Sequence, residues 1–313
     1  MVKRGIIIAP EIDIHSFAVR HAASEMGQEI TIINSADFTT EFDLSVELLP
    51  TITRACLPLR DGSELDLESI SGLWWRRPEI PNVGDLGNVE FANVREMECS
   101  EAIFGALEAF APNAFNRLAS SKSAGRKIVQ LNQAKKRGFR IPNTLVTNSP
   151  ELARLFCESH AGEIIYKIFR SPSTGFFPTR ALVSADIPDL DTLKHCPCIF
   201  QERIRGIYDL RITIVGDDIF AARIDLDQFP DLIDTRGLTT GWKNYQLPAS
   251  VSDMLLEMVR YFDLVYCTVD MRVTPDGGYV FFEINPEGQY LWTEIEADIP
   301  ISRSIAKRIL AVS

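Results

Sequence analysis

Asp270, Glu283 and Asn285 are the residues of this chain whose types and spacing best suit chemistry. They lie in the stretch Val265 to Tyr290, VYCTVDMRVTPDGGYVFFEINPEGQY, where two apolar runs flank Pro275-Asp276-Gly277-Gly278. Asp-Gly between such runs is a strong hairpin signal. With Asp276 and Gly277 as a two-residue loop, Pro275 faces Gly278, and pairing counted back from there sets Asp270 opposite Glu283. Asn285 shares their face, because side chains two apart in a strand point the same way. Two carboxylates this close repel unless a cation lies between them, and an oxygen-only donor set suits a hard ion such as Mg²⁺, usually held with phosphate oxygens and water. The alternative is a pair on the wet face of an antiparallel hairpin. Against it, Tyr279 to Asn285 is apolar on both faces, as a buried strand is, and a buried carboxylate without a partner is costly.

Other residues suit a phosphate-bearing ligand. Lys167 sits in the middle of Ile164-Ile165-Tyr166-Lys167-Ile168-Phe169, a strand that reads as buried, and a buried ammonium needs an anion. The following loop, Ser171 to Phe176, has the small residues of a flexible phosphate lid. In Asp209-Leu210-Arg211-Ile212-Thr213-Ile214 the charged pair lies on one face, opposite Leu210, Ile212 and Ile214. A carboxylate for hydroxyls beside a guanidinium for phosphate is sensible chemistry, and a surface ion pair is the simpler alternative. Lys127, read by itself, is a solvated helix lysine.

The elements that must position these residues follow from composition and pattern. At 313 residues the chain predicts two or three domains of ~100–150 residues each. Its 32 basic and 43 acidic residues give a formal charge of −11, which argues against a nucleic-acid or anionic-membrane partner. Pro10-Glu11 interrupts the first apolar run before a signal-peptide core forms, and no apolar run approaches ~18 residues, so the location expected is cytosolic. Six scattered cysteines and four histidines give no zinc pattern, and the cysteines read as thiols.

Residues 1–115 read as an α/β domain: strand Arg4 to Ala9, helix His15 to Met26 closed by Gly27, strand Glu29 to Ile33, an irregular stretch, and the strand-like Ile70 to Trp75 running into Arg76-Arg77-Pro78. A long helix, Val89 to Phe110, should turn Val94, Met97, Ile103, Leu107 and Phe110 inward. Asn113 to Ser121 reads as a linker, and Ser123 to Arg137 as one amphipathic helix with Ile128, Leu131 and Ala134 on its apolar face. Ser149 and Pro150 open a helix to Cys157. Arg223, on strand Ile219 to Ile224, faces Arg211 if a three-residue loop precedes it and points away if the loop has two residues. Asp225 to Gln246 is polar and irregular, with no periodicity of a buried element, and reads as a mobile loop. Ser250 and Asp253 form a capping-box pattern at the start of a helix to Phe262, and Ile301 to Leu310 reads as the final helix.

Asp270-Met271-Arg272 and Glu283-Ile284-Asn285-Pro286-Glu287-Gly288-Gln289 resemble the graspetide (microviridin-type) peptide ligases of the ATP-grasp superfamily. Trp75-Arg76-Arg77 before a long helix, Lys127-Ile128-Val129-Gln130-Leu131, Gln201-Glu202-Arg203-Ile204 and Asp234-Thr235-Arg236 extend the resemblance over nearly the whole chain. Arg126 and Thr235 depart from it, standing where the family has an asparagine and an aromatic residue. The resemblance implies an ATP-grasp fold behind an N-terminal α/β domain, with units 1–115, 116–200 and 201–313. It implies ATP and Mg²⁺ as cofactors: Asp270, Glu283 and Asn285 hold the metal, Lys127, Lys167 and Arg211 meet phosphates, Gln201, Glu202, Arg203 and Ile204 read the adenine edge, and Asp209 takes the ribose hydroxyls. Arg211 and Arg236 are the catalytic candidates, and Arg76 and Arg77 serve either the domain interface or a substrate carboxylate. The implied partner is a ribosomally made precursor peptide, with a leader and a core rich in Thr/Ser and Glu/Asp, whose carboxylates are phosphorylated and closed into esters or amides; the implied assembly is a homodimer. A RimK-like ligase for small carboxylates and a non-catalytic ATP-binding scaffold are the competing readings.

Overall fold

The structure, a computed structural model, describes residues 4–59, 62–84, 87–170, 177–227, 229 and 232–311. Its first region is a β-α-β unit. Strand β1 (Arg4–Ile8) pairs in parallel with β2 (Glu29–Ile33) across helix α1 (Ile14–Glu25). Asp13 caps α1 by accepting from the Ser16 amide at 2.9 Å, and Gly27, at φ +68°, ends it where the pattern predicts. Three further strands, β3 (Ser45–Leu49), β4 (Ile52–Pro58) and β5 (Glu64–Asp66), form a separate antiparallel sheet in the stretch read as irregular. Every residue of β3 is exposed, so the inside-outside contrast that marks a strand is missing there. Strand β6 (Leu73–Trp75) then returns to lie parallel beside β1.

Helix α2 (Val89–Phe110) has the predicted bounds but not the predicted burial. Ile103 and Leu107 are fully buried and Phe110 packs against the same core, while Val94 and Met97 are 53% and 65% exposed. Periodicity tells which side of a helix is apolar, not how far its packing partner extends. The expected linker is also structured: Asn116 is buried, and the single helix predicted from Ser123 divides into α3 (Leu118–Ala124) and α4 (Lys127–Lys136) at Gly125. Ile128 is 55% exposed, not inward.

A second antiparallel sheet, in the order β7-β10-β8-β9, contains β7 (Thr144–Thr147), β8 (Ile164–Lys167), β9 (Arg180–Ala181) and β10 (Cys198–Glu202), with α5 (Pro150–Ser159) capped by Ser149 as predicted. The fourth sheet, in the order β13-β12-β11-β14-β15, is built from β11 (Tyr208–Val215), β12 (Asp218–Asp225), β13 (Lys243–Tyr245), β14 (Tyr266–Val273) and β15 (Tyr279–Asn285), with α6 (Ala249–Tyr261) before β14 and α7 (Leu291–Ala297) and α8 (Ile301–Leu310) after β15. Two residues join β11 to β12, which sets Arg223 opposite Leu210 and turns it away from Arg211. The capping box at α6 does not form: Pro248 holds the N-cap position without a side-chain cap. Among the described residues between β12 and β13, packing replaces the expected loose loop in part: Leu226 and Trp242 are buried and the Trp242 indole donates to the Leu238 carbonyl at 2.8 Å.

Both ends of the chain share one core. Ile7, Trp74, Val215, Tyr266 and Tyr290 pack with Ile301, Ile305 and Ile309 of α8. A Cβ at Gly5 would lie 2.3 Å from the Ile309 side chain, and one at Gly72 would lie 2.5 Å from its carbonyl, so only glycine lets α8 approach this closely. All six cysteines are free thiols.

Candidate nucleotide and metal site

The β14–β15 hairpin places Asp270 directly opposite Glu283, and Thr268 opposite Asn285. It does so by a different route from the one read off the sequence. Thr274, not Pro275, faces Gly278, so the loop has three residues with Gly277 in the left-handed region at φ +79°. A bulge, with Met271 paired to Phe281, leaves Phe282 as an extra residue and restores the register at Asp270. The two departures cancel.

Neither carboxylate stands alone. Arg211, opposite Asp270 on β11, donates from Nη1 to Asp270 Oδ1 at 2.7 Å, and the Lys127 ammonium contacts Glu283. Lys127 is held there by its helix neighbour one turn on: Gln130, 2% exposed, donates to the Ile284 carbonyl at 2.8 Å and accepts from the Ile284 amide at 3.3 Å. Side chains three apart on a helix share a face, so Lys-x-x-Gln docks the helix on β15 and aims the lysine at the strand's carboxylate. Asn285 Oδ1 accepts from the Glu287 amide at 2.9 Å, turning the chain after β15. Among the described residues no group of three or more His, Cys, Asp and Glu could hold a metal ion. Two carboxylates plus one amide oxygen still form a hard donor set, which phosphate oxygens and water would complete.

The turn after β15 is a row of carbonyls held by side-chain donors. Arg76 and Arg77 both donate to the Glu287 carbonyl, Tyr266 Oη donates to that of Gly288 at 2.6 Å, and Arg211 donates to that of Gln289 at 2.6 Å. Gly288 is needed here because a Cβ would fall 1.7 Å from Thr268 Oγ1. Arg76, fully buried, also pairs with Asp13 at 3.4 Å. The two arginines therefore join the first region to the turn that follows the β14–β15 hairpin. Burial works to raise the Asp13 carboxyl, but Arg76 and the Ser16 amide outweigh it and hold the group below its ordinary range. Beside them, burial and then Arg76 push His15 down to about 3. His15 is thus neutral when folded and takes up a proton on unfolding below its ordinary value of 6.5. Stability should then fall as pH drops from 6.5 towards 3 with a slope approaching one proton, about 1.4 kcal/mol per pH unit. His15→Phe should flatten the acid limb of a Tm–pH profile; an unchanged limb would remove the assignment.

At the other end of the cleft, the buried Gln201 donates to Thr144 Oγ1 at 2.9 Å, Glu202 accepts from the Asn143 amide group at 2.7 Å, and the backbone amides of Glu202 and Arg203 are committed to the carbonyls of Asn143 and Glu163. Lys167 lines this cleft from the last position of β8, not from mid-strand as its sequence context suggested. Asp209 lines it too, but its ion-pair partner is Arg272 at 2.6 Å, on the adjacent strand. The Ser171 to Phe176 loop and the Arg236 side chain lie outside the described residues; the Arg236 backbone forms part of a 3-10 turn, Thr235–Gly237. Sequence reading missed Gln130, although it lay inside a quoted motif, and Trp292, whose ring lies 5.4 Å from the Arg211 guanidinium.

No family model and no curated protein matches the sequence. Solved structures do. The macrocyclase MdnC of Microcystis aeruginosa MRC, bound with precursor peptide MdnA, is 30% identical over the whole of both chains, with a TM-score of 0.87. The chain belongs to this family of graspetide-type ATP-grasp ligases. A RiPP-associated ATP-grasp ligase of Chryseobacterium gregarium, in complex with ADP and a leader and core peptide, is 29% identical over 99% of this chain and 96% of its own, also at TM-score 0.87. The macrocyclase MdnB of Microcystis aeruginosa MRC is 26% identical over 98% and 99% of the two chains, at TM-score 0.80. The protein is thus an ATP-dependent ligase with the ATP-grasp fold. Among the described residues of this ligase, no helix is long and apolar enough to cross a membrane.

Proposed function

We propose that this ligase phosphorylates Asp or Glu side chains of a ribosomally made precursor peptide and closes them into macrocycles, as esters to Ser or Thr or as amides to Lys. The observation that carries the reading is Asp270 opposite Glu283, each paired with a cation, in a cleft also lined by Lys167, Asp209 and the 201–204 segment. Asp270, Glu283 and Asn285 would hold Mg²⁺, which screens phosphate charge when bound. Lys127, Lys167 and Arg211 face the phosphates, the backbone of residues 201–204 reads the adenine edge, and Asp209 takes the ribose. A peptide carboxylate oxygen attacks the γ-phosphorus and ADP leaves; a hydroxyl or amine then attacks the carbonyl carbon of the acyl phosphate, loses its proton and expels phosphate. Positioning and charge stabilisation suffice, and no protein nucleophile is required. Arg236 pairs with the acidic side chain to be activated. In this reading residues 1–115, 116–200 and 201–313 are the three units of a cytosolic homodimer, and the segment after Ile219 helps bind the leader.

The test is incubation with ATP, Mg²⁺ and a Thr/Ser- and Glu/Asp-rich peptide encoded in a neighbouring reading frame. ADP release should accompany loss of one water per ring by mass spectrometry. Turnover of a free amino acid without peptide would move the protein to the small-molecule ligases, and ATP binding without any phosphate release would make it a scaffold. Lys167→Ala should raise the ATP KM about tenfold with the peptide KM within about twofold, because the lost partner is phosphate. Equal losses would indicate a structural lysine.

A further inference from the structure

Arg272 completes the Asp270-Met271-Arg272 run yet has no task in the site described so far. Its side chain, on a residue 5% exposed, reaches two elements directly: Nη1 donates to the Ile204 carbonyl at 2.8 Å, while Nε and Nη2 donate to Oδ1 and Oδ2 of Asp209 at 2.6 and 2.8 Å. Asp209 Oδ2 also accepts from Thr235 Oγ1 at 2.9 Å, and Thr235 adjoins Arg236. Ile204, Asp209, Thr235 and Arg272 all line one cleft.

A buried Arg–carboxylate pair adds little net stability over apolar residues of the same volume, but its planar fork fixes where the carboxylate sits and how it is turned. The backbone is built around this side chain. A Cβ at Gly206 would stand 2.3 Å from Arg272 Cγ and 2.6 Å from Cδ. A carboxylate has about four acceptor positions, so three donors leave Asp209 room for one more. A ribose hydroxyl is the donor the nucleotide reading supplies.

We propose that Arg272 is a positioning residue for the ligase reaction: it presents Asp209 to the ribose, sets the Ile204 backbone beside it, and through Asp209 and Thr235 ties the nucleotide end of the cleft to the segment bearing Arg236. This rests on the nucleotide reading above. The experiment uses the full chain with Mg²⁺, titrated calorimetrically with ADP and with 2′,3′-dideoxy-ADP, for wild type, Arg272→Lys, Gly206→Ala and Thr235→Val, with thermal melts for folding. Wild type should prefer ADP by about tenfold, the loss expected for a hydrogen bond to a charged group. Arg272→Lys and Gly206→Ala should bring that preference within about twofold; a merely structural role would weaken both nucleotides in parallel and leave the ratio unchanged. Thr235→Val should keep the preference but lose the ADP-induced hydrogen-exchange protection of the 235–238 amides.

A preference retained in Gly206→Ala or in folded Arg272→Lys overturns the positioning role. Absence of protection in wild type, or its persistence in Thr235→Val, overturns the link. Wild type that binds both nucleotides equally defeats this inference and the ribose role of Asp209 but leaves nucleotide binding in place, whereas wild type that binds no ADP defeats the nucleotide reading and the inference with it. Should Arg272→Lys fail to melt cooperatively, the Gly206→Ala and Thr235→Val results decide.

Discussion

Glu283→Gln and Asp270→Asn should each lower ATP-dependent peptide modification by about 100-fold or more while leaving a cooperative thermal transition. Both substitutions keep side-chain size and one oxygen, so what they remove is charge. In the folded protein that charge is balanced by Lys127 on Glu283 and Arg211 on Asp270. These side chains line a cleft: Glu283 and Lys127 are 19% and 20% exposed, and the more buried Arg211, at 8%, keeps the Gln289 carbonyl as a partner when Asp270 loses its charge. Water can therefore take up the freed ammonium, and the fold should survive. Catalysis should not, because stabilisation of charge that develops on phosphoryl transfer is worth about 10²–10³ per lost group. Turnover, read as ADP released per peptide modified, is the measurement. Wild-type rates in either variant would remove the metal assignment, and loss of the thermal transition would show the pair to be structural.

Asn116→Ala should cost about 4 kcal/mol and lower Tm by roughly 5–10 °C. The Asn116 carboxamide lies in the segment that reads as a linker, yet it is 1% exposed and serves four backbone groups. Its nitrogen donates to the carbonyls of Tyr266 and Pro286 at 2.6 and 2.8 Å, and its oxygen accepts from the amides of Val265 and Tyr266 at 3.1 and 2.9 Å. Alanine leaves all four without that partner. It is also strained at φ +55°, a region asparagine tolerates better. Since Tyr266 opens β14 and Pro286 follows β15, the same change should loosen the base of the β14–β15 hairpin and reduce activity more steeply on warming than in wild type. A Tm within about 1 °C of wild type would show that water replaces the carboxamide.

Much of the site was legible in the chain itself. Alternation and a Pro-Asp-Gly turn brought Asp270 and Glu283 together on one hairpin, but their direct pairing depends on a three-residue loop and a bulge that offset one another. The bulge at Phe282 was not legible, because a bulge is one residue of slack that the pattern of a doubly buried strand does not mark. Helix α8 has its predicted bounds because an apolar face at three-to-four spacing needs only local sequence. The burial of Trp242, the exposed first half of α2 and the role of Asn116 depend on which distant segment arrives to cover or to bond them. The same holds for ion pairs. Asp209 and Arg211 share a strand face two residues apart, and a surface pair between them is the simpler alternative that the sequence leaves open; in the fold Asp209 goes to Arg272 and Arg211 to Asp270 across the β11–β14 seam. Cross-strand neighbours lie nearer than same-strand residues two apart, so local chemistry decided which groups the site contains, and the neighbouring strand decided which of them meet.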